Sequence, residues 1–110
     1  VADAWNARIQ VFDAVGQFLR LWEVPSWQRL GANDKPFLAY ADGRVWATDP
    51  ALGRVLAFTL QGFPSLALVD PEASLNPAGL AVTEHRIYVA SPQSAEIVAY
   101  PIPLLSTLSP

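Results

Sequence analysis

One short pattern occurs three times along the chain, and its spacing constrains the fold more than any other sequence feature. The segments Val1–Ile9, Ala47–Val55 and Val89–Ile97 align as a strand, a turn and a second strand. Counted from the third residue of each segment, the copies lie 46 and 42 residues apart. A period of about 40 to 50 residues is typical of β-propeller blades. We therefore expect an all-β fold made of β-propeller blades, each a four-stranded antiparallel sheet.

The strands divide the chain into three units of an incomplete propeller. With the strands of a blade lettered a to d from the centre outwards, residues 1–30 supply strands b, c and d of a first blade, and residues 35–70 supply a full second blade. Residues 76–105 supply a third blade whose last strand is in doubt, because Pro101 and Pro103 lack amide donors. We expect the tail after Tyr100 to leave the third sheet, and the chain to be a fragment of a longer propeller.

The first unit carries a family resemblance. The stretch Val1–Asp13, followed by Gly16–Arg20, resembles an NHL repeat. The second unit keeps the aspartate and arginine of this pattern at Asp49 and Arg54, whereas the third unit has other residues there. The resemblance implies a propeller of about six blades, of which this chain supplies about two and a half.

Two stretches resemble a narrower group of NHL proteins. Asn6–Asp13 and Lys35–Tyr40 are similar to NHL repeats appended to large bacterial membrane glycosyltransferases. That resemblance implies a bacterial module outside the cytoplasm, at the cell surface. No glycosyltransferase segment lies within these 110 residues.

A pair of opposite charges recurs at the two ends of the loop between strands b and c. Arg8 follows Asp3 by five residues, and Arg54 follows Asp49 by the same interval. An aspartate here can accept hydrogen bonds from loop amides, and an arginine can reach back across the turn. Because the pair recurs from unit to unit, it suits the scaffold rather than one binding site. We predict that these four residues are structural turn staples.

Composition excludes several classes of function. The net charge of −3, with Lys35 and six scattered arginines, provides no basic stripe, so nucleic acid is not expected as a partner. The absence of cysteine removes thiolate metal sites, disulfides and cysteine nucleophiles. Prolines and aspartate interrupt the apolar runs before the roughly 18 residues that a membrane helix needs. We expect no membrane insertion by this segment, no metal site and no cofactor.

A metal-assisted lactonase or lyase is the alternative function, because some propellers hold carboxylates and a histidine around a central channel. The only histidine, His85, lies at a hairpin tip beside Glu84, a position that faces water. The inner strands Phe37–Tyr40 and Leu80–Val82 carry no carboxylate that could bind a metal in the channel. No catalytic residue is therefore assigned, and the enzymatic alternative requires an active site in blades outside this chain.

The leading function is a noncatalytic binding and scaffold module that presents loops of one propeller face to a protein or glycan partner. Exposed aromatic side chains on those loops suit such a surface, although loop tryptophans also fold back over the core. Trp22 and Trp46 lie within strands and are expected to pack between blades. The candidate partner-binding residues are Trp5, Asn6, Trp27, Arg29, Asn33, Glu72 and Asn76. We also expect self-association through the exposed flanks of the end blades.

Overall fold

Every regular element that the structure describes is a β-strand or a short 3-10 turn. The computed structural model describes residues 1–29, 35–41, 43–69, 79–91, 96–102 and 106–107. The strands are β1 (Ala2–Asp3), β2 (Arg8–Phe12), β3 (Phe18–Glu23), β4 (Leu38–Ala41), β5 (Arg44–Asp49), β6 (Arg54–Thr59), β7 (Pro64–Val69), β8 (Gly79–Val82), β9 (Arg86–Ser91), β10 (Glu96–Pro101) and β11 (Ser106–Thr107). Within the described ranges no helix is long and apolar enough to span a membrane. The expected all-β fold with three antiparallel sheets is confirmed.

The three sheets follow one another along the chain. The first sheet has the order β1-β2-β3, the middle sheet has β4-β5-β6-β7 with β11 beside β7, and the third sheet has β8-β9-β10. After β10 the chain returns to the middle sheet, where Ser106 pairs with Ala67 and Thr107 with Leu66. The middle sheet is therefore the widest, and the described residues form no closed ring of sheets.

The first and middle sheets repeat one hairpin geometry. The strand register shifts just before Phe12 in β2 and just before Phe58 in β6, positions 46 residues apart. The turn that follows contains Gly16 at φ +88° in one sheet and Gly62 at φ +94° in the other. This left-handed region penalises a Cβ atom, so both turns favour glycine. The equal offsets show that the sequence repeat is also a repeat of backbone shape.

The sheets pack face to face, with the middle sheet between the other two. Successive side chains of a strand point to opposite faces, so β5, β6 and β7 supply side chains to both interfaces. Between the first and middle sheets lie Ala7, Ile9, Trp22, Val24, Trp27, Ala47, Leu56, Phe58 and Ala67. Between the middle and third sheets lie Trp46, Val55, Ala57, Leu66, Leu68, Ile87 and Val89. The buried apolar side chains thus join each sheet to the next.

Two tryptophans occupy these interfaces. Trp22 packs on Phe58 across the first interface, with ring centroids 5.6 Å apart. Trp46 is fully buried in the second interface, and its indole Nε1 donates a hydrogen bond to the Ala41 carbonyl oxygen at 3.2 Å. The packing between sheets that was expected for both residues is confirmed.

Adding a methyl group at Gly62 tests how tightly the first interface is packed. A Cβ atom there would lie 2.7 Å from the Trp22 ring, whereas a Cβ atom at Gly16 would meet nothing within 4 Å. We expect Gly16→Ala to cost about 1 kcal/mol through its left-handed φ alone. Gly62→Ala adds an overpacking cost of about 1 to 3 kcal/mol. Urea unfolding of both variants checks this prediction, and equal losses of stability would contradict it.

Candidate binding surface

Three 3-10 turns lie side by side along one edge of the stacked sheets. They are η1 (Ala4–Asn6), η2 (Pro25–Arg29) and η3 (Pro50–Leu52), and η2 contacts both of the others. η1 joins β1 to β2, η3 joins β5 to β6, and η2 follows β3. We call these three turns the turn rim. It brings together loops from two sheets.

The turns η1 and η3 close in the same way. The backbone N–H of Ala7 donates to the Ala4 carbonyl oxygen at 3.1 Å, and that of Gly53 donates to the Pro50 carbonyl oxygen at 3.3 Å. Both closing residues are left-handed, at φ 52° for Ala7 and φ 62° for Gly53. The Ala7 carbonyl oxygen accepts the Val24 N–H at 2.8 Å. That last bond fixes the start of η2 against η1.

Trp5 is the most exposed large apolar side chain of the turn rim. It lies in the middle of η1 and is 95% exposed. The equivalent position of η3, 46 residues later, is Ala51. Tryptophan side chains are strongly buried on average, and this indole contributes nothing to either interface cluster. Its exposure therefore has no explanation in the packing of the residues that the structure describes.

Hydrogen bonds hold the turn beneath Trp5. The Asp3 carboxylate accepts Asn6 Nδ2 at 3.1 and 2.9 Å and Arg8 Nε at 2.8 Å. The Asn6 hydrogen bond, followed by that of Arg8, holds the pKa of Asp3 below its ordinary value of 3.8. The aspartate thus links both ends of the loop. An exposed indole on a turn fixed in this way loses little conformational freedom when it binds.

The corresponding aspartate of the middle sheet is fully buried. Asp49 Oδ2 accepts Arg54 Nε at 2.7 Å and the Ser26 hydroxyl at 2.8 Å, and its side chain is 0% exposed. Its Oδ1 atom has no hydrogen-bond partner among the described residues. Because Ser26 lies in η2, this carboxylate also connects the loop after the first sheet to the middle sheet.

The burial of Trp27 contradicts the prediction that this residue is exposed and binds a partner. Its side chain is only 1% exposed and belongs to the cluster between the first and middle sheets. Its indole Nε1 donates to the Thr48 carbonyl oxygen at 3.2 Å. The physical reason is that η2 turns back over the first interface, where the ring fills space and its N–H finds an acceptor. Trp27 therefore anchors the turn rim from below.

A small cavity opens beside η2, between the first and middle sheets. Its volume is about 290 Å³. Its polar lining consists of Glu23, Ser26 and Arg54, and the apolar lining includes Leu56 and Phe58. The volume is at the small end of the range for ligand pockets. The arginine that binds Asp49 thus also faces an open, largely apolar space next to the turn rim.

The other predicted binding residues are placed as follows. Asn6 is exposed on η1 beside Trp5, with its amide nitrogen bonded to Asp3. Arg29 is the last residue of η2. The positions of Asn33, Glu72 and Asn76 lie outside the described residues.

Metal-binding side chains are dispersed in the part of the chain that the structure describes. No three histidine, cysteine or acidic residues of that part lie close enough to hold a metal ion. His85 Nε2 lies 3.9 Å from Glu84 Oε2, and both side chains are more than 80% exposed. This pair lies at the turn between β8 and β9. The His85 and Glu84 side chains are therefore surface groups and do not form an enclosed pair for acid–base catalysis.

Sequence reasoning missed Ser26. The serine lies 23 residues before the aspartate that it binds, and the equivalent position 46 residues later is Glu72 rather than a serine. The only local signal is Pro25, which suits the first position of a helical turn. That signal predicts a turn, but it does not predict which carboxylate the turn will reach.

Removal of Arg54 tests the buried carboxylate. We expect Arg54→Ala to lower the free energy of unfolding by about 3 kcal/mol, because it leaves the Asp49 charge buried with only Ser26 as a donor. In the Asp49→Asn background the same change should cost less, since no buried charge remains. Urea unfolding of the four proteins of this cycle gives the coupling energy. A cost of Arg54→Ala within about 0.5 kcal/mol, as for ordinary surface changes, would contradict the assignment.

The pKa of Asp3 makes a separate prediction about acid stability. Folding lowers this pKa, so the hydrogen-bonded carboxylate stabilises the fold at pH values above 3.8. That contribution is lost as the pH falls through the lower pKa of the folded state. The stability difference between the natural chain and Asp3→Asn should therefore be full at neutral pH and shrink in acid. Thermal unfolding across this range checks it, with Glu96→Gln at the exposed start of β10 as the control.

Comparison with known proteins identifies no relative of this chain. No protein-family model matches it, and no curated protein and no solved structure matches it either. What is established is an all-β chain of three antiparallel sheets whose loops form the turn rim.

Proposed function

We propose that the chain is a stretch of NHL-like β-propeller, in which the three sheets are successive blades. Three observations support this. The first and middle sheets share a bulge, a glycine turn and a 3-10 turn at a constant offset of 46 residues. Neighbouring sheets pack through apolar faces, and each sheet follows the previous one in chain order. Such repetition of one unit and one interface is how repeat scaffolds are built.

We further propose that the chain works as a noncatalytic binding module, and that the turn rim is its recognition surface. The observation that carries this proposal is Trp5, which is 95% exposed on a turn fixed by Asp3, Asn6 and Arg8. Tryptophan is enriched among residues that dominate binding interfaces. Its indole offers a flat apolar face together with one N–H donor.

The partner is a protein or a glycan. Both present apolar surface next to hydrogen-bonding groups, which suits an indole beside the exposed polar side chains of Asn6 and Gln28. The net charge of −3 gives no attraction for a polyanion. A rigid rim above a packed scaffold binds without chemistry, so the proposal requires neither a metal nor a nucleophile.

Tryptophan fluorescence provides a direct test, because Trp5 is the only exposed one of the four tryptophans. Soluble acrylamide should quench Trp5 and leave the other three largely unaffected. A panel of neutral and acidic oligosaccharides and a displayed peptide library supply the two classes of probe. We expect a member of one class to bind and to protect Trp5 from quenching.

The matched variants are Trp5→Ala and Val15→Ala. Both remove an exposed apolar side chain from a turn, and Val15 lies in the β2–β3 hairpin turn. Trp5→Ala should weaken binding at least tenfold, which corresponds to about 1.4 kcal/mol, with unchanged thermal stability. Val15→Ala should bind normally. Equal binding by both variants, or no binding by any probe, would refute the proposal.

A further inference from the structure

The two faces of the middle sheet carry different sets of apolar side chains, and each face is buried against a different neighbour. Leu56, Phe58 and Ala67 face the first sheet. Trp46, Val55, Ala57, Leu66 and Leu68 face the third sheet. Each interface is therefore heterologous, because one kind of face packs on the other kind. At both interfaces the sheet that comes earlier in the chain contributes one kind of face, and the sheet that comes later contributes the other kind.

The outer face of the third sheet repeats the face of the middle sheet that is buried against it. Ala99 pairs with Tyr88, and Ile97 with Ala90, on the side opposite Val89 and the second cluster. Moving 42 residues along the sequence relates Trp46 to Tyr88, Val55 to Ile97 and Ala57 to Ala99. Val55 is fully buried, whereas Ile97 is 74% exposed. The third sheet thus leaves Ile97 and Ala99 exposed and Tyr88 half-buried, whereas their counterparts in the middle sheet are buried.

The outer face of the first sheet repeats the other face of the middle sheet. Gln10 pairs with Leu21 on the side opposite the Ile9 and Trp22 pair, which faces inward. Moving 46 residues along the sequence relates Gln10 to Leu56, Phe12 to Phe58 and Leu21 to Ala67. Leu56, Phe58 and Ala67 are buried, whereas Phe12 and Leu21 are exposed. The chain therefore carries both halves of its own sheet-to-sheet interface, one at each end of the stack.

We propose that two copies of this chain associate head to tail, with the outer face of the third sheet of one copy packed on the outer face of the first sheet of the next. The new contact continues the two interfaces within the chain, because it joins the same two kinds of face in the same order. A second copy is the occupant that the chain itself supplies. A head-to-tail contact leaves a free face at each end, so copies add until a ring closes or the assembly stays open.

Sedimentation equilibrium of the full 110-residue chain gives the first test. We expect an average mass above the monomer mass of 11.9 kDa that rises with concentration in the micromolar range. Leu21→Glu places a charge on the outer face of the first sheet, and Ile97→Glu places one on the outer face of the third sheet. Each variant should sediment as a monomer. Val15→Glu, in the exposed hairpin turn between β2 and β3, is the control and should associate like the natural chain.

Mixing the two variants separates head-to-tail association from other modes. Leu21→Glu retains an intact third-sheet face and Ile97→Glu retains an intact first-sheet face, so an equimolar mixture should form a 1:1 dimer that grows no further. Circular dichroism verifies that both variants are folded, and Leu21→Ser and Ile97→Ser replace any that are not. The proposal would be overturned if the natural chain stayed monomeric, if Leu21→Glu or Ile97→Glu alone associated, or if their mixture stayed monomeric.

Discussion

Face-to-face packing of the sheets is the interaction on which the rest of this structure depends. A sheet of three or four short strands buries too little on its own, and the apolar side chains here lie between sheets rather than within any one of them. Trp22, Phe58 and Trp46 fill the two interfaces. Loss of one interface would therefore expose apolar surface on two sheets at once.

The turn rim inherits its geometry from those interfaces. Trp27 enters the first interface, and Ser26 beside it binds the buried Asp49 of the middle sheet. The loop after β3 is thus held by one apolar and one polar anchor. Asp3 holds its own turn locally through Asn6 and Arg8, without help from another sheet. The exposed Trp5 stands on the turn that is fixed locally, next to the turn that is fixed by packing.

Much of the fold follows from the sequence, whereas the site follows only in part. The repeat predicts three antiparallel sheets because hairpin signals are local, and Gly16 and Gly62 mark equivalent turns. The burial of Trp27 was not predictable, because Trp5 and Trp27 both lie in loops and the path of η2 alone separates them. The bond from Ser26 to Asp49 spans 23 residues and belongs to no repeated motif. The roles assigned to the staple residues and to the partner-binding residues other than Trp27 stay predictions.

The two repeat intervals, 46 and 42 residues, show where the length of this chain is free to vary. Equivalent positions of β5 and β9, and of β6 and β10, are all 42 residues apart. The difference of four residues between the two repeat intervals falls in the connection from one sheet to the next. Within a sheet, an insertion of one residue would turn every following side chain to the wrong face. Between sheets the same insertion changes neither face. A chain built in this way can therefore lengthen by whole units or within the connections between sheets. A duplicated unit carries both of the apolar faces through which it packs on its neighbours.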